Sequence, residues 1–416
     1  MSEPLVQDNP DDNPAFSSPW ARYLSSELDR LSQNGQLRSV EPVEPLSAAH
    51  GPIVRVAGRE QVLFCSNDYL GLANDRRVIE AAKNAAHEGV GSRGARLLCG
   101  SHRLHRALEE RLAAWKGCED GVLFGSGYLA NIGTLSSLLK RGDTVFSDRL
   151  NHASIVDGCR LSGAQVVVFP HRDMDALAKQ LQTGTGKKLI VSDTVFSMDG
   201  DVAPLQTLST LAQTHEALLM VDEAHATGVL GAGATEFLGQ KGRVPVVMGT
   251  CSKALGTLGG FVVGSRLLCD FLRQRARTFV FDTSLPPPIV AATLAALDVI
   301  EQEPERAERT RLLAQRLFEG LSSLGFAALR PSAAIVPVLF GDTHTAMSAQ
   351  AALRQAGILA FAIRPPTVPQ GTARIRLCTM ATHTDGHIDR VLDAFASFPS
   401  EWRRPDPGDV KAQPSV

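Results

Sequence analysis

Apolar residues return along this chain in two rhythms. From about Trp20 to Leu37 they recur at helical spacing (Tyr23, Leu24, Leu28, Leu31), which predicts a helix ahead of the main body. In the middle of the chain short β-rich runs take over, at Val122–Phe124, Thr144–Ser147, Val166–Phe169, Leu189–Ser192, Leu218–Val221, Val246–Gly249 and Phe261–Val263. Most are separated by stretches of helical length and pattern, such as Met174–Leu181 and Leu205–Ala217. Strands that are apolar on both faces and alternate with helices imply a mostly parallel sheet covered on both sides. The interval from Gly249 to Phe261 is short and Gly-rich, so the last strand is expected to run antiparallel to its neighbour.

After Pro286–Pro288 the pattern changes. Helices are expected from about Val290 to Ile300 and from Pro304 to Leu324, then a strand at Ile335–Phe340, a helix through Ala346–Gln355 and a strand at Ala373–Cys378. The expected organisation is therefore α/β. A flexible tail covers 1–19, and a helix and strand segment covers 20–60 and packs beside the carboxyl-terminal unit. A large domain with a seven-stranded sheet covers 61–290, a smaller α+β domain 291–400, and a second flexible tail 401–416.

Composition narrows the function classes. Hydrophobic residues at 44% and charged residues at 21% describe a globular chain rather than a disordered or fibrous one. Lys and Arg total 42 against 44 Asp and Glu, so the net charge of −2 gives no electrostatic reason to expect nucleic acid or an anionic membrane. No apolar run approaches the roughly 20 residues that span a bilayer. The amino terminus is acidic and Pro-rich, unlike a signal peptide. Seven cysteines, at 65, 99, 118, 159, 251, 269 and 378, form no CxxC pair, which reads as reduced thiols in a cytoplasmic protein.

Ligands in open α/β sheets bind beyond the carboxyl ends of the strands, so the residues that follow each run carry the chemistry. Gly125-Ser-Gly-Tyr-Leu-Ala-Asn131 is a tight turn into a helix, where free amides can hold a phosphate; alone, such a turn is more often structural. Asn151-His152-Ala-Ser follows the second strand, and a lone loop histidine is usually solvated. The acidic loop Asp193–Asp201 carries Ser197, but Val195, Phe196 and Met198 are wrong for a calcium site. Asp222-Glu-Ala-His225 ends a four-residue apolar run; as a metal pair it lacks further ligands at short spacing, and no metal is expected. Lys253 follows Val246–Gly249 among small and apolar neighbours, where desolvation would lower its pKa and make it an amine nucleophile. An amine, a carboxylate, a phosphate turn, two histidines and a serine together match pyridoxal 5'-phosphate. That cofactor forms a Schiff base with lysine, needs an acid beside its ring nitrogen and carries a phosphate.

Asn67-Asp-Tyr-Leu-Gly71, Gly127-Tyr128, Asn151-His152-Ala-Ser, Val195-Phe-Ser-Met-Asp-Gly200, Asp222-Glu-Ala-His225, Gly249-Thr-Cys-Ser-Lys253 and Thr283-Ser-Leu-Pro-Pro resemble the α-oxoamine synthases, in the family's order over about residues 20–398. These are fold-type I pyridoxal-phosphate enzymes that condense an amino acid with an acyl thioester and release carbon dioxide. The resemblance implies that Lys253 carries the cofactor aldehyde and then moves the Cα proton, that Asp222 pairs with the ring nitrogen, and that His225 and Ser197 bond the ring hydroxyl. It implies that His152 stacks over the ring, and that Gly127, Tyr128 and Thr250 hold the phosphate. Arg376, Arg38 and Thr367, with His152, would contact substrate, and Thr283 would reach the phosphate in a partner subunit of a homodimer with shared active sites.

Phe361-Ala-Ile-Arg364-Pro-Pro-Thr-Val-Pro369 and Gly371-Thr-Ala-Arg374-Ile-Arg376-Leu are most similar to the biotin-pathway branch. That branch joins L-alanine to a pimeloyl thioester on CoA or acyl carrier protein. Siblings of the glycine C-acetyltransferase, 5-aminolevulinate synthase and serine palmitoyltransferase types remain open, as do an aminotransferase and a non-catalytic regulator. The first fifty residues are too few and too acidic to supply a regulator's DNA-binding module. One departure stands out: the chain has Gly91-Ser-Arg93-Gly-Ala-Arg96 where these synthases usually carry Gly-Ser-Gly-Gly-Ser-Arg, near the expected acyl channel.

Overall fold

The computed structural model describes residues 18–38, 40–46 and 51–403. Of the two expected tails, residues 1–17 and 404–416 lie outside the described residues. The amino-terminal helix spans Pro19–Gln33, with the proline in its first turn, where a missing N–H costs nothing. It stops four residues short of the expected end because Asn34 leaves the helical basin and Gly35 follows at φ +62°.

Strands β1 (Glu44–Pro45), β2 (Ile53–Val56) and β3 (Arg59–Leu63) form a small antiparallel sheet. The seven expected runs follow as β4 (Asp120–Phe124), β5 (Thr144–Asp148), β6 (Gln165–Phe169), β7 (Lys188–Asp193), β8 (Ala217–Asp222), β9 (Val246–Thr250) and β10 (Gly260–Gly264). They make one sheet in the order β4-β10-β9-β8-β7-β5-β6. Only β10 runs against the rest, antiparallel to both β4 and β9. Alternate residues feed two cores. Leu123, Phe146, Ile190, Leu219 and Val221 pack on one face, and Val122, Val145, Leu189, Val191 and Met220 on the other. Burial on both faces explains why these strands read as continuous apolar runs.

The remaining strands are β11 (Ala327–Ala328), β12 (Ile335–Gly341), β13 (Ile358–Leu359), β14 (Phe361–Ile363) and β15 (Ala373–Cys378). The order β11-β12-β15-β14 forms an antiparallel sheet with helices Glu305–Ser323, Thr343–Gln355 and Asp385–Ala396 around a core of Leu317, Phe326, Phe340 and Phe395. β13 pairs in parallel with β3, so the segment before residue 64 is stitched to the carboxyl-terminal unit. Helix Pro287–Gln302 contributes Val290, Ala296, Leu297 and Ile300 to the larger core, which Ala334, Ile335 and Cys378 of the carboxyl-terminal segment also join.

Candidate active site

A cavity of about 240 Å³ opens at the carboxyl ends of β4, β7, β8 and β9. Its first wall is the turn after β4. Ser126 caps helix Gly127–Leu138, its hydroxyl accepting the Leu129 amide at 3.2 Å. The Gly127 and Tyr128 amides belong to the first helical turn, have no intrahelical acceptor, and border the cavity. Gly127 is closely approached: a Cβ there would stand 3.3 Å from the Thr250 Cβ. The Thr250 hydroxyl is held by the Gly259 carbonyl at 2.8 Å and by Ser252 Oγ at 2.8 Å.

The second wall is the end of β8. Asp222 is 3% exposed and accepts the Asn131 side-chain amide at 2.7 Å and the Ala224 N–H at 2.8 Å. Asn131 lies one turn inside the helix that starts at Gly127, and its same amide nitrogen also reaches Ser154 Oγ at 2.9 Å. Behind Asp222, Glu223 is fully buried and paired with Lys116 from helix Arg103–Lys116. Glu223 also accepts the Thr235 N–H at 2.6 Å, while Lys116 reaches the Thr227 hydroxyl at 2.8 Å. Such a pair is expensive to desolvate but stiff once its hydrogen bonds are complete, and it clamps the turn that presents Asp222 and His225.

Lys253 points its amine at His225 Nε2, 2.8 Å away. Burial pushes the amine down to about 8, against the pull of Asp222 and Asp193. His225 is held well below its ordinary value by burial and by the Lys253 and Arg376 charges, so the ring is neutral. Its Nδ1 lies 2.7 Å from the Tyr69 hydroxyl, which also meets Asn67 Oδ1 at 3.1 Å and Arg376 Nη2 at 3.3 Å. Arg376, on β15, sends Nε to the Ser197 carbonyl at 2.5 Å. Arg376 thereby ties β15 to the loop after β7 and to the Asn67–Gly71 loop at once.

His152 closes the third side. Its N–H donates to Asp193 Oδ2 at 2.9 Å, and its Nδ1 accepts from the Ser154 N–H at 3.2 Å. Its ring lies edge-on to Tyr128, with centroids 6.3 Å apart, and burial lowers its pKa. Asn151 fixes the loop by exchanging hydrogen bonds with β7, donating to the Val191 carbonyl at 2.9 Å and accepting the Asp193 N–H at 2.8 Å.

The comparisons with known proteins agree on what this arrangement belongs to. Residues 59–395 match the family model described as aminotransferase class I and II. The chain belongs to that family. An 8-amino-7-oxononanoate synthase from Anaeromyxobacter sp. (strain K) is 51% identical over 92% of this chain and 98% of its own. One from Geobacter sulfurreducens is 46% identical over 91% and 98%. Among solved structures, a serine palmitoyltransferase from Sphingomonas wittichii superposes with a TM-score of 0.85 at 32% identity, covering 91% of this chain and 97% of that one. These relatives place the chain in the α-oxoamine synthase branch of the class I and II aminotransferases, with the fold-type I architecture.

Eight expected residues of this α-oxoamine synthase, Gly127, Tyr128, His152, Ser197, Asp222, His225, Thr250 and Lys253, border the one cavity. They fit pyridoxal phosphate on the chemistry of the donor set. Two open amides and a hydroxyl suit a phosphate, a buried acid suits a ring nitrogen, and a depressed amine suits an aldehyde. Of the expected substrate residues, His152 borders the cavity and the other three lie elsewhere. Arg376 does not border the cavity and is joined to it through Ser197 and Tyr69. Arg38 and Thr367 are exposed and hydrogen-bonded to each other at 3.1 Å.

Arg93 takes φ +66°, the left-handed region that suits the glycine usual at this point in the family. Its side chain folds back to the Glu88 carbonyl at 3.2 Å, and Arg96 pairs with Glu109 at 2.9 Å. Asn131, Asp193, Ser154, Tyr69 and Lys116 have parts in the site that residue-by-residue reading did not assign. The available signals were the position of Asn131 four residues after Gly127 and of Asp193 at the end of a strand.

Proposed function

We propose that the protein is a pyridoxal-phosphate-dependent acyltransferase that condenses L-alanine with a pimeloyl thioester, on CoA or acyl carrier protein, with loss of carbon dioxide. This is the 8-amino-7-oxononanoate synthase reaction of biotin biosynthesis. The observation that carries the chemistry is the half-buried, depressed Lys253 amine, sharing one cavity with Asp222 and the open amides of Gly127 and Tyr128. The choice of alanine and a pimeloyl chain rests on the names of relatives up to 51% identical over nearly the whole chain.

When bound, pyridoxal phosphate supplies the electron sink that lets an amino acid lose its Cα proton and later carbon dioxide. Lys253 Nζ takes and returns that proton. His225, neutral and held at Nδ1 by the Tyr69 hydroxyl 2.7 Å away, presents Nε2 to the Lys253 amine at 2.8 Å and so orients it. Asp222 presents a fixed negative charge whose orientation is set beforehand by Asn131 and Ala224. His152 covers one side of the cavity and excludes water from it. Arg376 takes the amino-acid carboxylate on closure, exchanging its 3.3 Å contacts to Asn67 for a two-point grip. Arg38 and Thr367 contact the acyl donor.

The enzyme works as a homodimer with shared sites, and Thr283 reaches the partner's phosphate site. All seven thiols are free, which supports a cytoplasmic setting. Among the described residues no helix is long and apolar enough to cross a membrane.

The test is a turnover matrix of alanine, glycine and serine against pimeloyl, acetyl, succinyl and palmitoyl thioesters, with CoA and carrier-protein donors compared. Alanine with pimeloyl donor is expected to be fastest. Faster consumption of glycine would move the protein to a sibling synthase. In the same preparation Lys253→Ala should abolish the visible absorption band that borohydride removes from the wild type; its survival would refute the lysine assignment.

A further inference from the structure

Asp193 is the last residue of β7 and Asp222 the last of β8, and the two are direct partners in the parallel register. Laterally paired residues project to the same face of a sheet. Two carboxylates therefore stand side by side at the floor of the cavity, each at most 4% exposed. Two anions so placed in a low-dielectric pocket repel each other, which favours a proton on one of them.

The hydrogen-bond inventory decides which member holds it. Asp222 accepts two donors, the Asn131 amide and the Ala224 N–H. Among the described residues, the Asp193 carboxylate accepts only the His152 N–H, at 2.9 Å. The surrounding charges act in the same direction on balance. Asp148, at the end of β5, repels a charge on Asp193, as does Asp222 on the other side. Lys253 alone pulls the other way, and its own amine is depressed to about 8. His152, the remaining titratable neighbour, is lowered by burial and uncharged. Burial and the Asp222 charge push the Asp193 carboxyl well above the usual carboxylate range.

We propose that Asp193 is a neutral carboxylic acid in the working protein and a positioning residue for His152, leaving Asp222 the single anion at these two strand ends. The proposal rests on the cofactor reading of Asp222 and His152 given above. It adds a division of labour between two acids of identical type: one carries charge, the other holds a backbone.

Asp193→Asn and Asp193→Ala, both loaded with pyridoxal phosphate, test it. Asparagine keeps the shape and the acceptor without a charge. The pH midpoint of the visible absorption band is expected to stay where the wild type has it. In the infrared difference between wild type and Asp193→Asn, the carbonyl stretch of a protonated carboxylic acid should be present in the wild type at pH 7 and absent from the variant. Asp193→Ala removes the acceptor for the His152 N–H, so the visible circular dichroism of the bound cofactor should change, and asparagine should restore it. A midpoint lowered by about 1–3 units in Asp193→Asn, the size expected for removing a nearby negative charge, would overturn the proposal. So would a missing infrared band or unchanged dichroism in Asp193→Ala. These readouts need only bound cofactor, so they fail independently of the turnover matrix and of the Lys253→Ala control.

Discussion

Lys253 sits in an environment far from that of an ordinary surface lysine. Burial lowers its amine from near 10.5 to about 8, with Asp222 and Asp193 limiting the drop. Only the neutral amine attacks an aldehyde, so apoprotein should reload pyridoxal phosphate at a rate that rises with pH and levels off above about 8. The rate of recovery of the visible band after adding cofactor at pH 6 to 10.5 measures this. A midpoint near 10.5 would show that the amine is solvated and remove the premise. Lys253, Asp222, His225 and His152 were legible because each follows an apolar run, where an α/β sheet presents its ligands. Tyr69 and Lys116 were not, and Asp193, though it too ends an apolar run, was assigned no part. Their parts depend on strand register, on a loop about 150 residues away and on a helix packing behind the turn, none of which a local pattern encodes.

Between single residues and the whole chain, the contact that sets the phosphate turn is the passage of β10 behind helix Gly127–Leu138. Gly260 has no Cβ because there is no room for one. The atom would lie 2.4 Å from the Ser126 carbonyl oxygen and 2.6 Å from Gly127 N. Gly260→Ala should therefore push the helix start away from Thr250. The cost in stability is on the order of 1–3 kcal/mol, typical of overpacking, and pyridoxal-phosphate affinity should fall with it. Thermal unfolding and a cofactor titration read the two effects. An unchanged dissociation constant would mean the turn is not the phosphate cradle. At this scale the seven central strands were legible to within a residue or two, since runs buried on both faces have one reading. The helix after Pro204 was read three residues too long, to Ala217 rather than Thr214, because Ala217 is apolar and suits either the end of a helix or the start of β8. The two-residue strands β11 and β13 are too short to leave a periodic trace.

The surface of the chain argues for a second copy. Ala95 bridges to Thr283, which brings the segments around Leu98 and Phe281 together, and these two side chains are 82% and 72% exposed. Leu97 and Val90 stand open on the first of those segments. Exposed apolar groups of this kind suit a surface that a second copy would cover, and Thr283, expected to reach a partner's phosphate, belongs to the second of those segments. In solution the protein should therefore have twice its 44.5 kDa chain mass by light scattering. Leu98→Asp combined with Phe281→Asp places charges where a partner would bury them but where the single chain leaves them in water. The fold of each chain should survive, as far-ultraviolet circular dichroism would register, while the mass falls towards one chain and bound cofactor is lost on gel filtration. If the double variant stays dimeric with full cofactor, the interface lies on another face and Thr283 is not the residue that joins the two sites. If it becomes monomeric and keeps its cofactor, the sites are adjacent but not shared, and each chain holds pyridoxal phosphate with its own Gly127, Tyr128 and Thr250 alone.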